Sequence, residues 1–431
     1  MRKFRAFVCS FAAFAAGLSA PLAAADLTAA LRALDLGDDA AARAPLAEEI
    51  ARLSYYQALA ERGEARRVAA DRAVAMAPQG SWIRDAATAL NADADGELEA
   101  ATAAARRAAE AAPSEPRVWK QLGDLLARQG DVPQARTAYE RAIALAPGYP
   151  AALVASGDLL QQAGDFTLAY NAYNHAVDDS GRPVAALLGR AASRLYVGDP
   201  EGALGDLETA IGLAAPGAER YRALMGVLAL RTYQRQLPAG LERAEEAAQM
   251  WGELGRADMV AATLNAAARA LLETGDAASA EAWYVRGWQS VEGSGMPAAE
   301  KTIWQVRALH GQARCAAVRR ELDRAKRLAD QVRGLAATDA ANAEHYAWII
   351  PYLDAYIALN DRRAEDAVPL LLQSDTERAH IRLLLGDAYM RGRDRANARL
   401  WYERALAVST GLDVESVIVR PQAALWLERN R

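Results

Sequence analysis

Residues 91–102, which read NADADGELEAAT, carry oxygen-bearing side chains at the spacing of a calcium-binding loop. The matches lie at the first, third, fifth and sixth positions of such a loop: Asn91, Asp93, Asp95 and Gly96. The twelfth position requires a glutamate that gives two oxygens to the ion, and Thr102 stands there instead. The sequence therefore favours an acidic turn between two helices, and a calcium site is the alternative.

The four histidines are the other candidate metal ligands, and three of them, His310, His345 and His380, follow one another at steps of 35 residues. Zinc ligands must each lie about 2 Å from the ion, whereas equivalent points on stacked helices lie about 8–10 Å apart. This spacing predicts no metal site, for these three or for His175. The sequence also has no nucleophile–base signature, no phosphate-binding glycine loop and no Cys-x-x-Cys pair, so it predicts neither catalysis nor a cofactor.

Gly96 also belongs to a pattern that recurs every 34 residues. Glycine followed by an acidic residue occurs at positions 96, 130, 164 and 198. Alanines keep the same step at two further places in each unit, at 101, 135, 169 and 203 and at 108, 142, 176 and 210. Three markers that stay in phase over four units indicate an internal structural repeat.

Each repeat is long enough for two short helices. In the unit that begins at Trp119, leucines share one helical face of the first half, and small and aromatic residues share one face of the second: Leu122, Leu125, Leu126, Ala135, Ala138, Tyr139, Ala142 and Ile143. Between the halves, Gly130 tolerates a left-handed backbone and Asp131 can cap the next helix. The pattern predicts helix–turn–helix units that must stack on their neighbours to bury these faces.

At this point the sequence resembles the tetratricopeptide repeat family. The family's characteristic positions hold Trp119, Leu122, Gly123, Leu126, Ala135, Tyr139, Ala142 and Pro147, of which only Leu126 departs from the usual aromatic residue. The motif is also clear in residues 261–287 and 378–409, and it is degenerate or hard to phase in 27–78, 221–255 and 297–374. The resemblance implies an all-α, right-handed solenoid of stacked helix–turn–helix repeats.

These patterns divide the chain into five predicted segments. They are a signal peptide (1–25), degenerate N-terminal helical repeats (26–80), a regular repeat array (81–216), irregular repeats (217–296), and C-terminal repeats with a capping helix (297–431). The stretch 291–301 is the best candidate for a longer connection that could divide the array into two stacks.

The resemblance also implies a binding surface, because the first helix of each pair lines the inner groove of such arrays. By that resemblance the groove-facing residues are Arg117, Lys120, Gln121, Asp124, Arg128, Asp158, Gln161 and Gln162. These polar side chains suit a protein or peptide partner, and simple hydration is the alternative. Asp124 stands where receptors of chaperone C-terminal tails have asparagine, so such a receptor is not expected.

Two functions follow from this interpretation. The first is a non-catalytic scaffold that binds a protein or peptide during assembly of an envelope or surface complex. The second is a carbohydrate- or peptidoglycan-associated module that presents or regulates an enzyme. Only one aromatic group favours the second function: Trp283, Tyr284, Trp288 and Trp304. Aromatic residues at helical spacing also occur in cores, and the sequence leaves both functions open.

The N-terminus predicts export. A basic start is followed by a mostly apolar stretch, residues 6–18, and by alanines at 23–25. This order is typical of a secretory signal peptide cleaved before Asp26, and a membrane anchor is the alternative. The mature protein would be periplasmic or secreted, without stable membrane insertion. Cys315 would be its only cysteine, and its alanine-rich helical surroundings predict a buried structural thiol.

Charge narrows the partner class further. The net charge of −5 does not suit a nucleic-acid-binding protein. Residues 307–333 are a local exception, with eight basic and three acidic side chains. A solvated helix surface explains such a run, and a patch that binds an anion or a partner is the alternative. The sequence leaves the oligomeric state undetermined.

Overall fold

The structure, a computed structural model, describes residues 39–179 and 183–430. Its regular secondary structure there consists of helices, most of them paired as antiparallel hairpins. The helices group into two compact units that meet between Ala152 and Leu153. The prediction of a long connection at 291–301 is wrong. There the structure has a link of a few residues between two helices that pack against each other inside the second unit.

The first unit, described from residue 39, contains three helical hairpins. Their helices are α1 (Asp39–Ala60), α2 (Gly63–Met76), α3 (Trp82–Ala94), α4 (Leu98–Ala111), α5 (Pro116–Arg128) and α6 (Val132–Leu145). The alanines that the repeat predicts to be small, Ala108 and Ala142 among them, are fully buried between these helices. Each lets two helices approach closely, as the sequence predicts.

The second unit begins within α7 and contains the remaining helices. They are α7 (Pro150–Gln162), α8 (Phe166–Asp179), α9 (Val184–Val197), α10 (Pro200–Leu213), α11 (Ala218–Tyr233), α12 (Leu237–Glu253), α13 (Ala257–Glu273), α14 (Ala277–Glu292), α15 (Ala298–Val318), α16 (Leu322–Thr338), α17 (Ala343–Ala347), α18 (Ile349–Asn360), α19 (Ala364–Leu372), α20 (Ala379–Arg391), α21 (Arg395–Val408) and α22 (Val414–Arg429). A single 3₁₀ turn, Ala340–Asn342, precedes α17.

The turns between paired helices explain the glycine markers. Gly130 adopts a left-handed backbone with φ +80°, and the Asp131 side chain then accepts a hydrogen bond from the Gln134 N–H at 3.1 Å. The same left-handed conformation recurs outside the regular array, where arginine adopts it at four positions: Arg235, Arg320, Arg362 and Arg393, with φ from 58° to 65°. Glycine adopts this conformation without a side-chain penalty, so these arginines hide the repeat from a search of the sequence.

The last helix does more than cap the array. Helix α22 packs on α20 and α21, which precede it, and also on α11 and α13 in the middle of the second unit. Arg420 lies 4.5 Å from the centre of the Phe166 ring and 5.1 Å from that of Tyr196. The end of the chain therefore contacts the beginning of its own unit, and helices distant in sequence enclose a common space. Among the described residues, no helix combines the length and apolar character that a membrane span requires.

Candidate functional site

The predicted groove residues of the first unit are engaged with one another or with neighbouring helices. Gln121 is only 5% exposed; it accepts a hydrogen bond from the Tyr55 hydroxyl at 2.8 Å and donates one to the Ala86 carbonyl at 2.9 Å. The prediction that Gln121 faces a groove and is available to a partner is therefore wrong. Because its amide bonds Tyr55 of α1 and Ala86 of α3, Gln121 links these two helices to α5.

The charged residues beside Gln121 form internal pairs. Lys120 bonds Asp124 at 2.6 Å. Arg117 bonds Glu115 at 3.2 Å and stacks 4.4 Å from the centre of the Tyr56 ring. Arg128 is exposed and pairs with Asp93 on α3. Since each charge has an internal partner, this surface offers a ligand little uncompensated charge.

Asp124 also has a role that the repeat imposes. Tyr139 donates its hydroxyl to Asp124 at 3.0 Å, as Tyr173 does to Asp158 at 2.6 Å. The tyrosine ring lies against the glycine that precedes the aspartate; a Cβ at Gly157 would lie only 2.7 Å from the Tyr173 ring. The Gly-Asp pair of the first helix and the tyrosine of the second therefore form one packing unit. Tyr402 and Asp387 repeat the same bond at 2.6 Å.

The predicted groove residues of the second unit lie at a cavity. Asp158 and Gln161 line a space of about 700 Å³, and Gln162 beside them is exposed. The cavity walls come from α7 to α11, from α13 to α15, and from residues 411–415 near the end of the chain. This volume is within the range of about 300–1,000 Å³ that ligand pockets occupy.

The link between α21 and α22 and the first residues of α22, residues 410–415, lie along the wall of this cavity. Gln161 donates from its amide to the Thr410 carbonyl at 3.1 Å, and the Tyr196 hydroxyl donates to the Gly411 carbonyl at 2.6 Å. These two bonds hold main-chain oxygens, which any peptide carries. Leu412 follows and lines the cavity near Gly226, where a Cβ would lie only 2.7 Å from the Leu207 side chain.

Glu415 ends this segment in a partly buried ion pair. Its carboxylate accepts from the Arg269 guanidinium at 2.7 Å and from the His380 backbone N–H at 2.8 Å. Burial raises the pKa of Glu415, but Arg269 and the His380 N–H more than offset burial, so the pKa is lowered. Glu415 is therefore a carboxylate at neutral pH, and it ties α22 to α13 and α20.

Helix α15 contributes further basic groups to the same cavity. Arg307, His310 and Arg314 all line it. Arg314 is 4% exposed and bonds Glu273 at 2.6 Å, but its Nε has no hydrogen-bond partner; nor has Nε2 of His310. Burial, followed by the nearby Arg314, holds the pKa of His310 well below its usual range, so its ring is neutral at neutral pH.

The rest of the predicted basic stretch, 307–333, has a different role. Arg319 and Arg324 both pair with Glu281, and Arg333 pairs with Asp354. Those arginines join neighbouring helices through ion pairs, which fits the solvated-surface interpretation. Within this stretch, Arg307, His310 and Arg314 in the middle and later turns of α15 line the cavity, so the two interpretations of the stretch apply to different parts of it.

The aromatic group behind the carbohydrate alternative does not form a single exposed platform. Tyr284 is buried under Gly311. Arg286 lies 4.7 Å from the centre of the Trp283 ring, and Arg307 lies 4.6 Å from that of Trp304. Guanidinium groups thus cover faces on which a sugar would have to stack.

The metal candidates are engaged in other contacts. Asp93 pairs with Arg128 and Arg66, Asp95 pairs with Arg67 at 2.6 Å, and Thr102 donates its hydroxyl to the Leu98 carbonyl. In the described part of the chain, no group of three or more His, Cys, Asp or Glu side chains could hold a metal ion.

The histidines are closer than their repeat spacing predicts. His310 and His380 both contact Tyr352, with ring centres 5.2 and 5.7 Å from it. The side chain of His345 lies outside the described residues. The buried thiol predicted at Cys315 is confirmed, and burial raises its pKa to about 12.

Paired helices that stack through small residues define an α-helical repeat protein. A family model described as tetratricopeptide repeat matches residues 116–159, which span α5, α6 and most of α7. This match identifies a tetratricopeptide repeat in that part of the chain, as the motif predicts. Such repeats are typically non-catalytic interaction modules.

Solved structures overlap with parts of the chain. MamA from Desulfovibrio magneticus is 15% identical over 41% of this chain and 97% of its own, with a TM-score of 0.37. PilF of Pseudomonas aeruginosa is 22% identical over 51% and 91%, also with a TM-score of 0.37. A tetratricopeptide repeat protein from Parabacteroides merdae is 16% identical over 72% and 98%, with a TM-score of 0.34. No curated protein matches the sequence significantly.

Proposed function

We propose that the chain is an exported, non-catalytic scaffold that binds a protein or peptide segment in the cavity of its second unit, and that it serves assembly of an envelope or surface complex. The observation that carries the proposal is the way residues 410–415 lie in that cavity. Their carbonyl groups accept hydrogen bonds from Gln161 and Tyr196, and their acidic side chain pairs with Arg269.

These contacts describe what the cavity recognises. Hydrogen bonds to main-chain carbonyls hold an extended peptide of any sequence, and a charged pocket then selects among side chains. The cavity also has unfilled volume beside the C-terminal segment, with the exposed Arg222 at its lining. A partner segment can therefore bind next to residues 410–415 or in their place.

Export rests on the leader at residues 1–25, which lies outside the described residues. N-terminal sequencing of the protein recovered from the envelope fraction tests it. We expect the mature chain to begin near Asp26. Recovery of a chain that starts at Met1 and stays with the membrane would contradict export and favour the anchor.

Binding is tested by photo-crosslinking of the mature chain in envelope extract. A photoreactive residue replaces Arg222, which is exposed and lines the cavity, and in a matched control it replaces Glu242, an exposed residue of α12 outside the cavity lining. We expect one discrete protein product from position 222 and none from 242. Products of equal yield at both positions, or at 242 alone, would contradict a binding site in the cavity.

A further inference from the structure

One face of α15 presents three nitrogen-bearing side chains to the cavity. Arg307, His310 and Arg314 stand at helical offsets of three and four residues, so they share that face. Arg269 of α13 lines the same cavity. The four side chains converge from two first helices of neighbouring hairpins.

This cluster has hydrogen-bond donors left over. The Nε atoms of Arg269 and Arg314 are buried and lack a hydrogen-bond partner. Nε2 of His310 also lacks a partner, and the tautomer of the neutral ring decides whether it donates or accepts. Buried polar groups in proteins are almost always hydrogen-bonded, because an unsatisfied donor costs about 1–3 kcal/mol. The side chain of Arg314 is itself 96% buried, since only 4% of it is exposed. Because both arginines also line the cavity, their guanidinium groups are ones that an acceptor entering it would meet.

The charge around the cluster points to an anion. Three carboxylates line the cavity, and each is already engaged: Asp158 with Tyr173, Glu415 with Arg269, and Asp413 with the Ser416 N–H at 2.9 Å. Among the described residues, no acidic side chain pairs with Arg307. Burial, and then the positive charge of Arg378, lower the pKa of Arg307.

The occupied half of the cavity shows which anion fits. There, Arg269 binds the side-chain carboxylate of Glu415. Gln161 and Tyr196 bind the main-chain carbonyls that precede it in the same segment. The α15 face offers the same kind of donor beside it. We propose that Arg307, His310 and Arg314 bind the side-chain carboxylate of an acidic residue in the partner segment, next to the place that Glu415 occupies. This inference rests on the proposed function, because it names the chemistry of the peptide that enters the cavity.

The test uses the full mature chain and a defined probe, triglutamate that is acetylated at its N-terminus and amidated at its C-terminus. The uncharged probe is the same peptide made of glutamine. Titration calorimetry at constant ionic strength compares wild type with Arg307→Gln. The matched control is Arg286→Gln, because Arg286 also stacks on a tryptophan and loses the same charge, yet it does not line this cavity.

We expect triglutamate to bind and triglutamine not to bind. Arg307→Gln should weaken the affinity about tenfold or more, since a hydrogen bond between charged groups is worth that much, whereas Arg286→Gln should change it less than twofold. The ring signals of His310 should shift on titration, and four histidines keep that spectrum simple. Equal losses in both variants, or binding of triglutamine, would overturn the proposal.

A titration with inorganic phosphate at matched ionic strength distinguishes a site for a peptide carboxylate from a site for phosphate. If phosphate binds more tightly than triglutamate and Arg307→Gln abolishes its binding, the site takes phosphate and the carboxylate assignment is wrong. The proposed function can fail independently of this inference. If a partner crosslinks at position 222 equally well in Arg307→Gln, the carboxylate site is wrong and the binding cavity stands. If no partner crosslinks at position 222, the binding cavity itself is wrong.

Discussion

The two units differ in how the polar residues on the first helices of their hairpins are paired. In the first unit, Lys120, Asp124 and Arg128 neutralise one another or a neighbouring helix, and Gln121 is buried. In the second unit, Arg307 has no acidic partner among the described residues, and it lines a cavity together with Arg269 and Arg314, whose Nε atoms lack a hydrogen-bond partner. A clear repeat motif therefore does not by itself predict a charged surface that is free to bind: the motif residues Lys120 and Asp124 pair with each other, whereas Arg307, in a part of the chain where the motif is hard to phase, lines the cavity without an acidic partner.

The largest expected effect comes from breaking the ion pair that holds the C-terminal segment. Arg269→Gln leaves the Glu415 carboxylate partly buried with only the His380 N–H as its partner. We expect the free energy of unfolding of the second unit to fall by about 2–3 kcal/mol, less than for a fully buried pair because both side chains are about a quarter exposed.

Urea unfolding followed by tryptophan fluorescence measures this change, and hydrogen exchange locates it. Amides of residues 410–422 should lose protection first. The double variant Arg269→Gln/Glu415→Gln serves as the control, because it removes the unpaired charge and should recover much of the lost stability. A double variant that is no more stable than Arg269→Gln would show that the pair does not hold the segment.

A pair of glutamines tests whether the first unit's polar residues are structural. Gln121→Ala leaves the Tyr55 hydroxyl and the Ala86 carbonyl without their partner, so we expect a loss of about 1–2 kcal/mol. Gln162→Ala, at an exposed position of α7, should cost less than about 0.5 kcal/mol. Equal stability changes on urea unfolding would contradict the assignment of Gln121 to the core.

The buried histidines predict a pH dependence that is specific to the second unit. Burial, followed by Arg269 and Arg314, holds the pKa of His380 well below 6.5 in the folded state. Below pH 6.5 the unfolded chain therefore binds a proton that the folded chain does not, and stability falls as the pH falls. The slope is about 1.4 kcal/mol per pH unit for this one histidine.

His380→Gln should remove that slope between pH 6.5 and 5.5, although it also alters the contact with the Tyr352 hydroxyl. His175→Gln, at an exposed histidine of the same unit, should leave the slope unchanged. The free energy of unfolding is measured against pH for wild type, His380→Gln and His175→Gln, and the three slopes are compared. An unchanged slope in His380→Gln would show that the ring is already protonated in the folded state.

The smallest effect concerns the arginines in left-handed turns. Arg362 has φ +65°, a conformation that costs a residue with a side chain about 1–2 kcal/mol, and glycine recovers part of that at some entropic cost. We expect Arg362→Gly to raise the free energy of unfolding by about 0.5–1 kcal/mol. Gly130→Arg in the first unit should lower it by a similar amount, and a stabilising Gly130→Arg would refute the argument.

These turns also explain what the sequence could predict. The regular array was predictable because Gly130, Gly164 and Gly198 mark the same left-handed turn at equal steps. Residues 297–374 were hard to phase because Arg320 and Arg362 replace glycine, and because α15 and α16 are longer than helices of the regular units. The 3₁₀ turn and the short α17 shift the phase further.

The candidate site was only partly predictable for a related reason. Asp158 and Gln161 were assigned to the groove by their place in the motif, and both line the cavity. Glu415 could not be found in this way, because its partner Arg269 lies 146 residues earlier and meets it only when α22 folds back onto α13. The basic stretch at 307–333 did carry a signal for Arg307 and Arg314, but sequence spacing alone could not separate them from the paired arginines that follow.

The most direct measurement compares the two units in one experiment. The same photoreactive residue is placed at Arg128, exposed in the first unit, and at Arg222, exposed at the cavity of the second. In the same envelope extract, the account predicts a discrete partner product from position 222 and at most background from position 128. A product from position 128 with none from 222 would contradict the claim that binding resides in the cavity of the second unit.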